Sequence, residues 1–192
     1  MPARRPRGYF GEDHQTLGSD ILVVLKILKL PEQVLGKQEY ERVQRVRADA
    51  WYPIEWLLEL MEILEERVGP SGLMQMGRRL FELSHKDRVL LRAKSAKDIF
   101  YGIDEMYHHA NKGQGIGGWK VTRFEAGLAE LEKNTPHHCL MDQGLLTEAL
   151  RSVGCACNVS QLRCFRQGAD SCVYQITSTF VDSRWAGESA RF

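Results

Sequence analysis

Three cysteines fall within the sixteen residues from Cys157 to Cys172, CNVSQLRCFRQGADSC. Thiols at this density can hold a metal, join as a disulfide, or fill the end of a sheet as compact apolar side chains. Further donors flank them: HHC at residues 137–139, and CAC with Cys155 and Cys157. A zinc site needs about four ligands, and a metal held here would tie a helix start to the final hairpin. The chain has five cysteines, an odd number, and no secretory leader, which argues against a disulfide framework. If the last hairpin turns about Gly168, Cys164 faces Cys172, Leu162 faces Tyr174 and Ser160 faces Ile176, with both sulfurs on the apolar side. Buried thiols and metal thiolates both remain open on this reading.

Other chemistry-bearing stretches are weaker. GQGIGG contains Gly113, Gly115 and Gly118 in GxGxxG order, but a dinucleotide site needs a strand before it and a helix after it, and here the order is reversed. It reads as a helix-to-strand loop able to act as a lid. Glu55, Glu59, Glu62 and Glu66 are spaced as a solvated helix face. No Ser-His-Asp or Cys-His grouping can be placed, so the chain is expected not to be an enzyme.

The elements that must position the cysteines follow from periodicity. Ile21 to Leu30 is apolar on nearly every turn, too short to span a bilayer, and reads as a buried helix or one that meets a second copy. A homodimer through that helix is expected. Pro53 opens a helix whose apolar positions Ile54, Leu57, Leu58, Met61, Leu64 and Val68 keep helical spacing, Gly69 ends it, and Pro70 starts another with Leu73, Met76, Gly77, Leu80 and Phe81 as its stripe. Ser95 can cap a third helix running to about Asn111, with Ile99, Ile103, Met106, Tyr107 and Ala110 inward. Two short extended pieces meet near Gly127, a helix follows with Leu146, Ala149, Leu150 and Val153 on one face, and a hairpin closes the order. Helices, hairpin, helix, hairpin predict an α+β domain with helices packed on a small antiparallel sheet.

Composition bounds the rest. With 192 residues, 26 Lys and Arg against 25 Asp and Glu, one domain is expected and no overall field concentrates the chain on nucleic acid or an anionic membrane. Residues 1–17, with Arg4, Arg5 and Arg7, read as a disordered basic arm, 18–179 as a single ligand-binding type of domain, and 180–192 as a loosely ordered tail. No apolar run follows the basic cluster, so the protein is expected in the cytoplasm.

The stretch CLMDQGLLTEALRSVGCACNVSQLRCFRQGADSCVYQI resembles the C-terminal half of the 4-vinyl-reductase (V4R) domain family, and YPIEWLLELMEILEERVGPSGLMQMGRRLFE resembles its helical half, so the similarity covers roughly residues 50–178. That family resembles in fold the small subunits of the Golgi transport tethering particle and the haem nitric-oxide sensors. The resemblance implies a sensory domain that binds a small apolar ligand between helices and sheet. It also implies zinc on Cys139, Cys164 and Cys172, while the position of the family's acidic ligand falls on Gln161. His137, His138 and Cys157 are alternative fourth donors. Pocket walls would come from Trp56, Met61, Phe81, Phe100, Met106, Tyr107, Trp119 and Phe124, with a filled core as the competing reading for each. The ligand class would be aromatic or tetrapyrrole-like, with haem or a chlorin as an alternative. On the helix projection, however, His108 points away from the inner face and His109 lies at its margin. A downstream protein partner is implied. The rival class is a homodimeric interaction scaffold like the tethering subunits, with no diffusible ligand.

Overall fold

The computed structural model describes residues 5–187. Strand β1 (Gln15–Leu17) leads directly into helix α1 (Gly18–Ile27), followed by the short helices α2 (Pro31–Leu35) and α3 (Lys37–Gln44). Strand β2 (Trp51–Pro53) then opens the long helix α4 (Ile54–Leu80). This helix is broken at Gly69, with φ 67° and ψ −178°, and Pro70 restarts it. Only glycine takes that φ without strain, and a proline at a helix start has no bonded N–H to lose, so the break falls where Gly-Pro dictates.

A π-helical turn (Phe81–His85) joins α4 to α5 (Lys86–Leu90). Helix α6 (Ala96–Ala110) begins as its sequence predicts: the Asp98 N–H donates to Ser95 Oγ, and Asp98 Oδ2 accepts from the Ser95 N–H. Strands β3 (Asn111–Lys112), β4 (Trp119–Glu125) and β5 (Leu128–Lys133) precede α7 (Cys139–Ser152), then β6 (Asn158–Arg163), a 3-10 turn (Phe165–Gln167), β7 (Cys172–Thr177) and α8 (Ser183–Ala186). The strands form two antiparallel sheets, ordered β2-β1-β3 and β4-β5-β7-β6. The architecture is α+β, with helices packed on small antiparallel sheets.

Helix α7 lies between the larger sheet and α4. The two helices approach through glycines: a Cβ on Gly77 would collide with the Met141 carbonyl, and one on Gly144 with the Met74 carbonyl. Leu64, Leu73 and Phe81 from the α4 side and Leu146 and Leu150 from α7 are fully enclosed around this crossing.

Four expectations change. The expected boundary at residue 18 falls inside the smaller sheet, since β1 pairs with both β2 and β3. The Arg7 N–H also donates to the Asp170 carbonyl and the Phe10 N–H to the Gly115 carbonyl, so residues 5–17 are joined to the fold; Arg4 lies outside the described residues. The tail expected to be loose carries Trp185, fully buried against Phe100 and Phe124, with its indole N–H donating to the Glu125 carbonyl. Helix α1 ends at Ile27, and α3 and α4 of the same chain cover the face assigned to a second copy, leaving Val24 only 3% exposed.

The fourth change is in register. Val159 pairs with Ile176 and Gln161 with Tyr174, one residue away from the expected pairing, and a bulge between Gln161 and Arg163 then restores it as Arg163 pairs with Val173. The bulge leaves Leu162 exposed and turns the strand by one residue just before Cys164.

Candidate metal centre and ligand cleft

The three sulfurs expected to share a site do so. Cys139 opens α7, Cys164 follows β6, and Cys172 opens β7. Cys139 Sγ lies 3.2 Å from Cys164 Sγ and 3.1 Å from Cys172 Sγ, and all three residues are buried. Chain direction explains the meeting: α7 starts over the open end of the β6–β7 hairpin, where the 3-10 turn swings Cys164 back toward Cys172. Main-chain N–H groups face the sulfurs. That of Phe165 donates to Cys172 Sγ at 3.5 Å, and those of Arg166 and Gln167 stabilise charge on Cys164, although burial still pushes its thiol up.

A buried cation completes the electrostatics. Lys133, opposite Cys172 in the sheet, is fully enclosed; its ammonium donates to the His137 carbonyl at 2.7 Å and pairs with the Asp142 carboxylate. Burial works against this charge, yet Asp142 and then the Cys139 and Cys172 sulfurs together hold Lys133 above its usual range. The Cys139 hydrogen bond, with Lys133 behind it, lowers the Cys172 thiol against the opposing effect of burial. Arg166 pins the Cys164 turn to α4, reaching Glu62 at 2.6 and 3.1 Å and Glu65 at 2.5 Å. Glu62 is therefore an anchor for this turn and not part of a free solvated face.

The alternative fourth donors lie elsewhere. Cys157 Sγ is 3.2 Å from Cys155 Sγ, in a separate pair after α7. His138 Nδ1 accepts from the Leu140 N–H, and its Nε2 lies 3.2 Å from Glu65 Oε1. His137 lines an interior cavity; burial pushes its imidazole down to about 4, which keeps it neutral, and its Nε2 has no partner among the described residues. Gln161 is placed by the bulge on the same sheet face as Tyr174 and Cys172, and its Nε2 is likewise buried without a partner among the described residues.

The expected pocket walls do not converge on one space. Trp56 donates to Glu39 Oε2 and lies under Arg42, on the α3 side. Phe100 and Phe124 pack with Trp185 as core. Met61, Met106, Tyr107 and Trp119 border the interior cavity, whose volume is about 30 Å³. Phe81 and Met106 border a larger cleft of about 500 Å³ between α5, α6 and α7, whose apolar wall is completed by Val89, Ile99, Ile103, Leu145 and Ala149. The glycine loop is no lid over either space. Gly115 receives Phe10, His14 Nε2 bonds the Gln114 carbonyl at 2.7 Å, and the Tyr107 hydroxyl donates to the Ile116 carbonyl, so the loop is tied to the N-terminal segment and to α6.

No family model and no curated protein matches this chain. Solved structures do. An H-NOX protein from S. oneidensis in the Fe(II) ligation state is 16% identical, with a TM-score of 0.68 over 88% of this chain and 99% of that one. The chain has the H-NOX fold. The unliganded Fe(II) H-NOX protein from K. algicida is 11% identical over 83% of this chain and 96% of its own, with a TM-score of 0.59. An H-NOX structure concerned with haem distortion is 11% identical over 85% and 93%, with a TM-score of 0.65. The expected relation in fold to haem nitric-oxide sensors therefore holds for the backbone.

A tetrapyrrole does not fit the interior space beside Tyr107. The interior cavity holds about 30 Å³, room for a water, whereas small-molecule pockets run from about 300 to 1,000 Å³. Helix α6 turns Tyr107 inward and leaves His108 beside Asp104 at the surface. Sequence reasoning missed the buried Lys133–Asp142 pair and the Arg166 anchor, whose only signal was a lysine closing an alternating apolar strand and an arginine directly after Cys-Phe.

Proposed function

We propose that this chain is a small-molecule-binding regulatory domain of the 4-vinyl-reductase type. A structural zinc clamps its last hairpin to α7, and its ligand is an apolar, aromatic molecule held in the cleft between α5, α6 and α7. The observation that carries the reading is that α7 belongs to both sites. Its first residue, Cys139, supplies the sulfur that touches both other thiols, while Leu145 and Ala149 further along wall the cleft. A ligand pressing on α7 acts on a helix anchored at one end, and a partner protein reading that helix would sense occupancy.

The donor set suits zinc, which favours thiolates in closed, four-coordinate structural sites. Cys139, Cys164 and Cys172 would hold it; the position of the family's acidic ligand falls on Gln161, a departure from that pattern, and this residue shares the sheet face of Tyr174 and Cys172. Bound zinc supplies a cross-link; Lys133 and the turn N–H groups offset the thiolate charge. No reaction is assigned, and the reading is non-enzymatic. Metal analysis of reduced protein tests the clamp. One zinc per chain is expected, lost in Cys172→Ser together with a lower melting temperature, because metal binding is coupled to folding. No zinc in fully reduced protein would sink it. A thermal-shift screen of phenols and other aromatics tests the ligand site, since a compound at a hundredfold excess over its dissociation constant stabilises by about 2.7 kcal/mol.

A second reading, a homodimeric interaction scaffold, is favoured by Leu91 and Tyr101, 78% and 60% exposed at the cleft mouth. Sedimentation that shows a dimer, with no compound entering the cleft, selects it.

A further inference from the structure

The mouth of the cleft carries charge that a wholly apolar ligand does not need. Arg88, Arg92, Asp98 and Glu105 stand there, with His109 beside them. Three of the four are committed. Arg92 Nη1 donates to Glu105 Oε1 at 2.9 Å. Asp98 Oδ2 accepts from the Lys94 N–H, the Ser95 N–H and the Ser95 hydroxyl at the start of α6. Arg88 has neither a hydrogen bond nor an ion pair among the described residues; Glu105 and Asp20 act on it only at longer range, and partial burial lowers its pKa from the usual guanidinium value. His109 is also pushed down by desolvation and so adds no fixed charge at neutral pH. One guanidinium is thus left over at the rim of an apolar space.

We infer that the cleft takes a monoanionic amphiphile, an aromatic or branched carboxylate, whose head pairs with Arg88 and whose body lies against Phe81, Ile103, Met106, Leu145 and Ala149. The inference rests on the cleft being the ligand site of the proposed function. A guanidinium offers a planar pair of donors matched to a carboxylate, and partial desolvation strengthens that pairing relative to water. The cleft volume of about 500 Å³ lies in the range that encloses such a molecule.

Naphthalene-2-carboxylate and naphthalene-2-methanol differ in charge but little in shape, so calorimetric titration of both separates the head from the body. The native chain is expected to bind the carboxylate about tenfold more tightly than the alcohol, with the preference shrinking as salt rises. Arg88→Gln is expected to equalise the two while leaving the alcohol bound. Gly102 borders the cleft, and a Cβ there meets nothing within 4 Å, so α6 accepts a side chain at this position; Gly102→Phe is expected to occupy the cleft and abolish both titrations. Equal affinities in the native chain, or a preference that survives Arg88→Gln, overturn the charge assignment while the ligand site stands. Binding undiminished in Gly102→Phe, or no binding of either compound to the native chain, overturns the ligand site as well.

Discussion

At the residue scale the site is a question of which buried charges have partners. The thiols were legible in the sequence because their chemistry travels with residue type: Cys139, Cys164 and Cys172 were named together from the family resemblance, and the structure brings them within hydrogen-bonding distance. Gln161 was legible only as a departure from a pattern, since its direction depends on a bulge that no periodicity announces. If its amide is the weak fourth donor to zinc, Gln161→Glu supplies a charged one in its place. The variant is expected to release zinc to a chelator about tenfold more slowly, and equal release rates would remove residue 161 from the site. A second buried pair sits apart from the thiols. His85 Nε2 lies 3.8 Å from Asp20 Oδ2, and burial pushes the His85 imidazole down and the Asp20 carboxyl up, with Arg88 and His109 also bearing on the pair. A histidine with a depressed folded pKa is neutral where the unfolded chain is protonated, so its contribution is complete above about pH 6.5 and is lost as pH falls below that value. Asp20 works in the other sense: folding favours its protonated form, a gain present at low pH and lost as pH rises through its folded value. Denaturant titrations should therefore show His85→Gln losing less stability between pH 7 and pH 5 than the native chain. Asp20→Asn should gain stability at pH 7 and not near pH 3.

At the scale of elements, the contact that sets the geometry is the crossing of α4 and α7. Gly77 and Gly144 each sit against a carbonyl of the facing helix, so the helices are as close as backbone permits and Cys139 is delivered to the hairpin. Either glycine changed to alanine forces the helices apart, and overpacking of this kind costs about 3 kcal/mol. Chemical denaturation measures the loss, which should exceed that of Gly102→Ala, where a Cβ has open space. The helices themselves were legible. The Gly69-Pro70 break, the Ser95 cap and the inward stripes all lie where local rules put them, because capping, proline and 3.6-residue spacing act within a few residues. Strand register was less so, for it is fixed by partners far along the chain. The expected Leu162–Tyr174 pairing fails because the Leu162 bulge absorbs the change from a sheet that carries Val159 inward to a turn that must carry Cys164 inward. The expected pocket failed for a related reason. Trp56, Met61, Phe81, Phe100 and Tyr107 are buried and Met106, Trp119 and Phe124 partly so, but residues on different elements meet different neighbours, and these eight divide among the α3 side, the Trp185 cluster, a small cavity and the cleft.

At the scale of the whole molecule, the segments at both ends of the described residues close the fold. The segment before α1 adds the central strand of the smaller sheet, and Trp185 plugs the core beside Phe100. Closure also takes up the surface first assigned to a dimer. Val24 is enclosed by its own chain, so Val24→Glu buries an unpaired charge and is expected to cost on the order of 4 kcal/mol. Melting would fall equally at every protein concentration; a loss that vanishes in dilute solution would restore the intermolecular reading. No helix among the described residues is long and apolar enough to cross a membrane. The space inside is bounded by Asp20, His85, Asn111, His137 and Asp142 as well as by Met61, Leu80 and Met106, and it amounts to about 30 Å³. A tetrapyrrole would have to displace Tyr107, whose hydroxyl is bonded to the Ile116 carbonyl at 2.7 Å, and strip solvent-free partners from several buried polar groups. His137 Nε2, buried without a hydrogen-bond partner among the described residues, borders that space. Hemin titrated into the purified chain is therefore expected to give no saturable one-to-one Soret band. If such a band did appear and disappeared in His137→Ala, the interior would be shown to open around haem, and the cleft between α5, α6 and α7 would lose its standing as the ligand site.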